Sequence, residues 1–217
     1  WLRLQLKTWL EGPYHASSGK MLTNLTGIIP TEHPYAAAPW NFTEYMQLQE
    51  VPNAQLVDWV LVEIRMAATA ANAGSSTIKG RALAFLNDEG ELVDTAGNLG
   101  VVIPTDSNGQ FFAAIYHRTH IPVMTAGMPT APVNQDTGSF NYDFTDAQTK
   151  AYGTEALAEL DNNVWGLYAG RVENSTPFVI DAADRDFSWE ERNKLGYEPA
   201  DAALEGLVDA TDRTLTW

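Results

Sequence analysis

The phrase "VIDAADRDFSW" (Val179–Trp189) returns as "LVDATDRTLTW" (Leu207–Trp217). Asp181 and Asp209, Asp184 and Asp212, Arg185 and Arg213, and Trp189 and Trp217 are each 28 positions apart. Four anchors at one offset mark a supersecondary unit used twice. The unit is expected to be a helix entered through Asp-x-x-Asp, with Asp181 or Asp209 as the cap and Asp184 or Asp212 in the first turn. Trp189 and Trp217 are expected to anchor the pair on the inward faces of the two helices, with Val179, Ile180, Leu207 and Val208 filling in beside them.

The residues before the second helix carry a further pattern. Asp201 to Asp212 reads D-A-A-L-E-G-L-V-D-A-T-D, twelve residues. Asp201, Glu205, Asp209 and Asp212 occupy positions one, five, nine and twelve, and Gly206 is at six. Oxygen ligands at such positions, with a glycine at the sharp turn, are the spacing of a calcium loop. Ala203 removes the ligand of position three. The first copy matches less well. The 28-residue period puts Glu173 at position one and Pro177 and Phe178 at five and six. Starting at Arg171 instead lengthens the loop by two residues and heads it with a cation. Calcium, if bound, is therefore expected at one site, the second loop. Capped helices without metal are the alternative.

Upstream, the texture is that of strands. "LRLQL" at Leu2–Leu6 alternates apolar and polar residues. "VDWVLVEIR" (Val57–Arg65) puts Trp59, Leu61 and Glu63 on one face and Asp58, Val60, Val62 and Ile64 on the other. "RALAFLNDEGELVD" reads as a hairpin turning at Asn87–Gly90. "GQFFAAIYHRTHIPVMTA" reads as one more strand, stopped by Pro122. In "FTDAQTKAYG", Thr145 and Gln148 have capping-box spacing, which predicts a short helix over 145–153. After about residue 165 the chain turns acidic, alanine-rich and helical. The expected fold is mainly β: an antiparallel β-sandwich over 1–164, bridging helix included, then a small helical repeat pair over 165–217 packed on the sandwich.

Composition narrows the function. The 217 residues carry a net charge of -15, which repels nucleic acid and anionic membrane surfaces. The chain has no cysteine, which excludes disulfides, thiolate catalysis and cysteine metal sites. No apolar run has membrane-spanning length. The sequence starts at Trp1 without a signal peptide and is read as a piece of a longer product.

"YAGRVENSTPFVIDAADR" and its second copy resemble a dockerin-like repeat pair of large secreted Bacteroidetes proteins, in which "YAGDVN-x-DG" leads into "A-A-D-R". Upstream, "LEGPYHASSGKM", "PYAAAPWNFTE", "VDWVLVEIR", "RALAFLNDEGELVD" and "IYHRTHIPVMTA" are similar to successive motifs of the β module that precedes that pair, so the resemblance covers almost the whole chain. Arg171 stands where the family has Asp, which makes the first calcium site degenerate. The resemblance implies an adhesin- or haemagglutinin-like module, secreted by the type IX route to the cell surface or beyond, with no catalytic activity. Asp94-Thr95-Ala96 resembles the short O-glycosylation acceptor of that group, with Thr95 as the modified residue.

Other chemistry is weaker. His117 and His120 in "YHRTHIP" would face opposite sides of a single strand, which argues against a zinc site. The simpler reading is that Arg118 and the two histidines tie neighbouring loops by hydrogen bonds. Glu11, Asp58, Glu63 and Asp94 are candidate carboxylates for glycoside hydrolysis, but no spacing pairs them. Trp9, Tyr14, Trp40 and Tyr45 could form a glycan platform, against which stands Trp40 as a plug at the end of the sandwich. The function expected is non-enzymatic: a structural or adhesive surface module, partnered by neighbouring modules, identical subunits in a filament or sheath, or glycans. The alternative is a carbohydrate-binding module. The terminal strand "LRLQL" could complete a neighbour's sheet or pair within its own.

Overall fold

The computed structural model describes residues 1–44, 46–53, 55–105, 109–129, 139–173 and 178–216. Its strands, in chain order, are β1 (Leu2–Lys7), β2 (Trp9–Leu10), β3 (Tyr14–His15), β4 (Lys20–Met21), β5 (Leu56–Met66), β6 (Ile78–Asn87) and β7 (Leu92–Val93). They continue with β8 (Val101–Ile103), β9 (Phe111–His117), β10 (His120–Met124), β11 (Ser139–Asp143), β12 (Ala158–Asp161) and β13 (Val164–Leu167). Two α-helices follow, α1 (Ala182–Glu190) and α2 (Ala210–Leu215). The fold is mainly β, as the alternation predicts.

The main sheet has the order β10-β9-β5-β6-β7 and is antiparallel throughout. Its centre, β5, is buried on both faces along its first nine residues. On one face Trp59 lies opposite Phe85, ring centroids 3.9 Å apart. Residues 30–40 cover that face: Trp59 Nε1 donates to the Pro30 carbonyl, Tyr35 Oη to that of Trp59, and Arg81 to that of Trp40. The other face carries Ile64, Ala113 and Phe111, and Phe111 meets Phe140 of β11 edge-on at 4.9 Å. That contact places the second sheet, β11-β1-β8, against the first.

The sheets are not purely antiparallel. β1 runs parallel to β11, and β2 parallel to β13 in the small sheet β12-β13-β2. Alternation dictates which side chains face inward but not strand direction, so the sequence pattern could not distinguish the two. β1 has β11 on one side and β8 on the other, so both its edges are filled within its own chain, and Leu4 and Leu6 are buried.

Two local expectations are corrected. The stretch from Phe111 to Met124 is a hairpin, β9 and β10, turning at Arg118–Thr119. Pro122 does not end it but sits in the edge strand β10, where the register shifts between His120 and Val123 and no ladder N–H is needed. The helix over 145–153 is only a single 3-10 turn, Gln148–Lys150, without a side-chain cap. The N-cap of that turn is Ala147, two residues past Thr145, whose N–H (2.8 Å) and hydroxyl (2.6 Å) instead donate to Asp143 Oδ1.

The helical repeat shares the core of the sandwich. Leu204 belongs to the same buried cluster as Leu4, Trp59 and Phe85. The assigned boundary at 164/165 falls inside β13, which pairs with β2 through Gly166 and Leu167. Gly12 marks how close the contact is: a Cβ there would lie 2.1 Å from the Ala202 carbonyl oxygen. Only glycine lets the two backbones approach so closely.

Candidate metal centre and the buried junction

The repeated phrase builds two capping boxes. Asp181 Oδ1 accepts from Ala183 N and Asp209 Oδ1 from Thr211 N, at 2.8 and 2.6 Å. In return, Asp184 Oδ2 accepts from Asp181 N and Asp212 Oδ2 from Asp209 N, at 2.9 and 2.8 Å. The other oxygen of each of these first-turn aspartates reaches back to the preceding loop. Asp184 Oδ1 takes Val172 N and Glu173 N, and Asp212 Oδ1 takes Ala203 N. Glu173 is eleven residues before its aspartate and Ala203 nine before its own. The first loop is therefore two residues longer, and the frame headed by Arg171 is the one the structure adopts.

In the second loop, carboxylate oxygens of Glu205, Asp209 and Asp212 all lie within 4.8 Å of one another. Gly206, at position six, has φ +79°, the left-handed turn that the spacing requires. Asp201 stands outside the trio. It is buried, and its two oxygens accept from Glu205 N (3.0 Å) and Gly206 N (2.8 Å), so it shapes the loop from within. Burial raises the pKa values of Glu205 and Asp212, with like charge from Asp209 adding to both. Burial likewise pushes Asp201 up to about 6, against the backbone N–H groups it holds. Crowded carboxylates of this kind can hold a metal ion.

The tryptophan anchors need correction. Trp189 is 53% exposed, its ring flanked by the guanidinium of Arg192 at 4.5 Å and that of Arg213 at 5.2 Å. The inward line of α1 is Asp184 and Ser188, one turn apart; Trp189 lies a further 100° round the helix. The partner expectation, Trp217, lies outside the described residues.

A second concentration of charge lies where the repeat meets the main sheet. Asp58 of β5 is fully buried and accepts four hydrogen bonds. Oδ2 takes Arg118 Nε at 2.8 Å and His117 Nε2 at 3.2 Å; Oδ1 takes Tyr197 Oη at 2.5 Å and Trp59 N at 2.7 Å. Arg118 also donates to the Glu198 carbonyl and lies 4.0 Å over the Tyr197 ring. Burial alone would raise the Asp58 pKa, but Arg118, His117 and Tyr197 together hold it down to about 2. The same turn clasps the start of the repeat segment: Thr119 O accepts from Gly170 N and Arg171 N, and Tyr168 O from Ile121 N.

His117 and His120 do converge, because a hairpin rather than a single strand carries them. Their Nδ1 atoms are 2.9 Å apart. The reading that Arg118 and the histidines tie neighbouring loops describes this junction. Tyr197 and Glu198 were not legible as its other half; the only local signal was an acid, Asp58, within an apolar strand.

The remaining candidates are dispersed. Asp58 and Glu63 point to opposite faces of β5, and Glu63 is held by Arg65, Arg81 and Tyr116. Glu11 accepts from Ala169 N, and Asp94 Oδ1 from Ala96 N and Asn98 N, which fixes the turn carrying partly exposed Thr95. Trp9 and Trp40 are buried, Tyr14 packs on Trp9, and Tyr45 lies outside the described residues. Trp40 is thus a plug, not a glycan platform.

No protein-family model matches the chain, and no curated protein or solved structure matches it either.

Proposed function

We propose that the chain is a non-enzymatic structural or adhesive module of the cell surface, secreted and built into a larger extracellular assembly such as a filament or sheath. The observation that carries this reading is the junction. Asp58, His117, Arg118 and Tyr197 are the groups best suited to chemistry, yet they are committed to fastening the repeat onto the sandwich. Joining two modules into one core suits a part that must transmit force without flexing. Secretion by the type IX route and O-glycosylation at Thr95 belong to the same reading, through the resemblance of the motifs.

The acidic trio is assigned to calcium: a hard cation takes carboxylate oxygens, and Glu205, Asp209 and Asp212 supply them. Imaging of the native protein on the cell surface tests the function. A regular array containing this chain supports it; a solitary protein that binds defined sugars on a glycan array replaces it with a carbohydrate-binding module.

A further inference from the structure

The imidazole pair at the junction has a geometry that disfavours an added proton. An ionised carboxylate only accepts, so the Asp58 contact assigns the proton of His117 to Nε2. His117 Nδ1 is then a lone pair, and it accepts from Thr119 N at 3.2 Å. His120 Nδ1 lies 2.9 Å from that same atom and 2.9 Å from Thr119 Oγ1; two facing lone pairs would repel, so His120 Nδ1 carries its ring's proton and shares it with His117 Nδ1 and the Thr119 hydroxyl. His120 Nε2 is left as a lone pair, fully buried and, among the described residues, without a hydrogen-bond partner. A proton added to His117 Nδ1 would face the N–H groups of Thr119 and His120, with the Thr119 hydroxyl oxygen, 3.2 Å away and already engaged by His120 Nδ1, as its acceptor. A proton added to His120 Nε2 would be a buried cation with no acceptor, which is strongly unfavourable.

We propose that this pair is an acid-sensitive latch, holding the helical repeat on the sandwich only while both rings are neutral. Proton uptake by either ring releases the turn at Arg118–Thr119, and with it the two repeat segments it clasps, 168–171 and 197–198. The inference stands independently of the surface role.

The groups facing the pair agree in sign. Among the described residues, Asp58 of β5 is the single neutralising charge in contact. Arg118 lies beside both rings, and Arg171 acts on His117 from the 168–171 segment, so both guanidiniums oppose a further cation. Tyr35 and Tyr197 stay protonated. Glu11, through Ala169, and Asp201, beside Arg118, lie one contact further out. Burial is the largest influence on both rings and lowers their pKa values, His120 well below the usual 6.5. A docked ring therefore binds its proton less readily than a free one. Docking is fully present above the ordinary imidazole value and weakens as pH falls below it. The raised carboxyl values of Asp201 and Glu11 act with the opposite sign and cannot mimic this.

The test is hydrogen exchange from pH 7.5 to 5, corrected for intrinsic rates, comparing 165–216 with β5 and β6. The wild type should lose protection in the repeat first, its opening constant rising toward about 100-fold per pH unit as two protons are taken up. His117→Gln with His120→Leu keeps a donor to Asp58 and an acceptor for Thr119 but cannot titrate, and its opening constant should stay flat. An equal pH dependence in the double variant, or simultaneous loss of protection in repeat and sheet, overturns the latch. Should the variant not fold, imidazole nitrogen spectra of the wild type decide. Both rings must remain neutral in the docked protein at pH 5; titration near 6.5 with the repeat still protected refutes the proposal.

Discussion

Asp58 occupies a place where an apolar side chain would be expected, and four donors make it tolerable there. Removing one partner of a buried ion pair leaves the other uncompensated, at about 3–5 kcal/mol. Asp58→Asn should destabilise by that amount in urea unfolding, because Arg118 stays buried. Tyr197→Phe removes one hydrogen bond to a charge and should cost about 1.5–3 kcal/mol. Since the folded pKa of Asp58 is held below the ordinary carboxyl range, its contribution is complete above about pH 4. It is lost as pH falls toward 2. Trp189 gives the contrary case. Half exposed on the outer side of α1, it should tolerate Trp189→Ala within about 0.5 kcal/mol, as surface positions do.

The two short helices depend on their aspartates more than on helix propensity, since helices this short are not stable alone. The first-turn aspartate matters more than the cap. Asp184 holds Val172 N, Glu173 N and Asp181 N, whereas the Asp181 side chain serves only its own helix start. Asp184→Ala should therefore cost about 3 kcal/mol, from hydrogen bonds to a charged group. Asp181→Ala should cost about 1. Equal losses in the two variants would refute the account of the loop clamp. The second loop adds a linked pH effect. Asp201 is shifted from 3.8 to about 6, so the folded state binds more protons, and without a cation the loop's stability falls as pH rises through that interval. Calcium should offset this by mass action. Millimolar calcium is expected to raise the melting temperature more at pH 7 than at pH 4.5, and Asp209→Ala should abolish the difference.

The molecule behaves as one body because its ends are woven in. β1 is the middle strand of its sheet, so removing residues 1–8 takes Leu4 and Leu6 from the core and strips both β8 and β11 of a partner. That truncated chain should fail to fold, as judged by near-ultraviolet circular dichroism and proteolysis; a stable folded monomer would show that the strand is dispensable and free to serve a neighbour. Gly12 is the matching test at the other contact. Gly12→Ala drives a Cβ into the Ala202 carbonyl and should cost about 1–3 kcal/mol by overpacking, with faster hydrogen exchange over residues 200–204.

Local pattern made much of this readable. Alternation at Leu2–Leu6 and Val57–Arg65 and the Asn87–Gly90 turn announced the strands, and the 28-residue repeat announced two capped helices. These are properties of a few adjacent residues, dictated by side-chain period and by the orphan N–H groups of a helix start. The spacing from Asp201 to Asp212 likewise located the acidic trio, though not that Asp201 would spend both oxygens on backbone. The identity of distant partners was invisible. Strand direction, the hairpin that brings His117 to His120, and the meeting of Asp58 with Tyr197 across 139 positions all depend on how separate elements pack. A buried charge is neutralised by whatever donors the fold delivers, and that delivery is a tertiary event, with no trace in the spacing of the residues concerned.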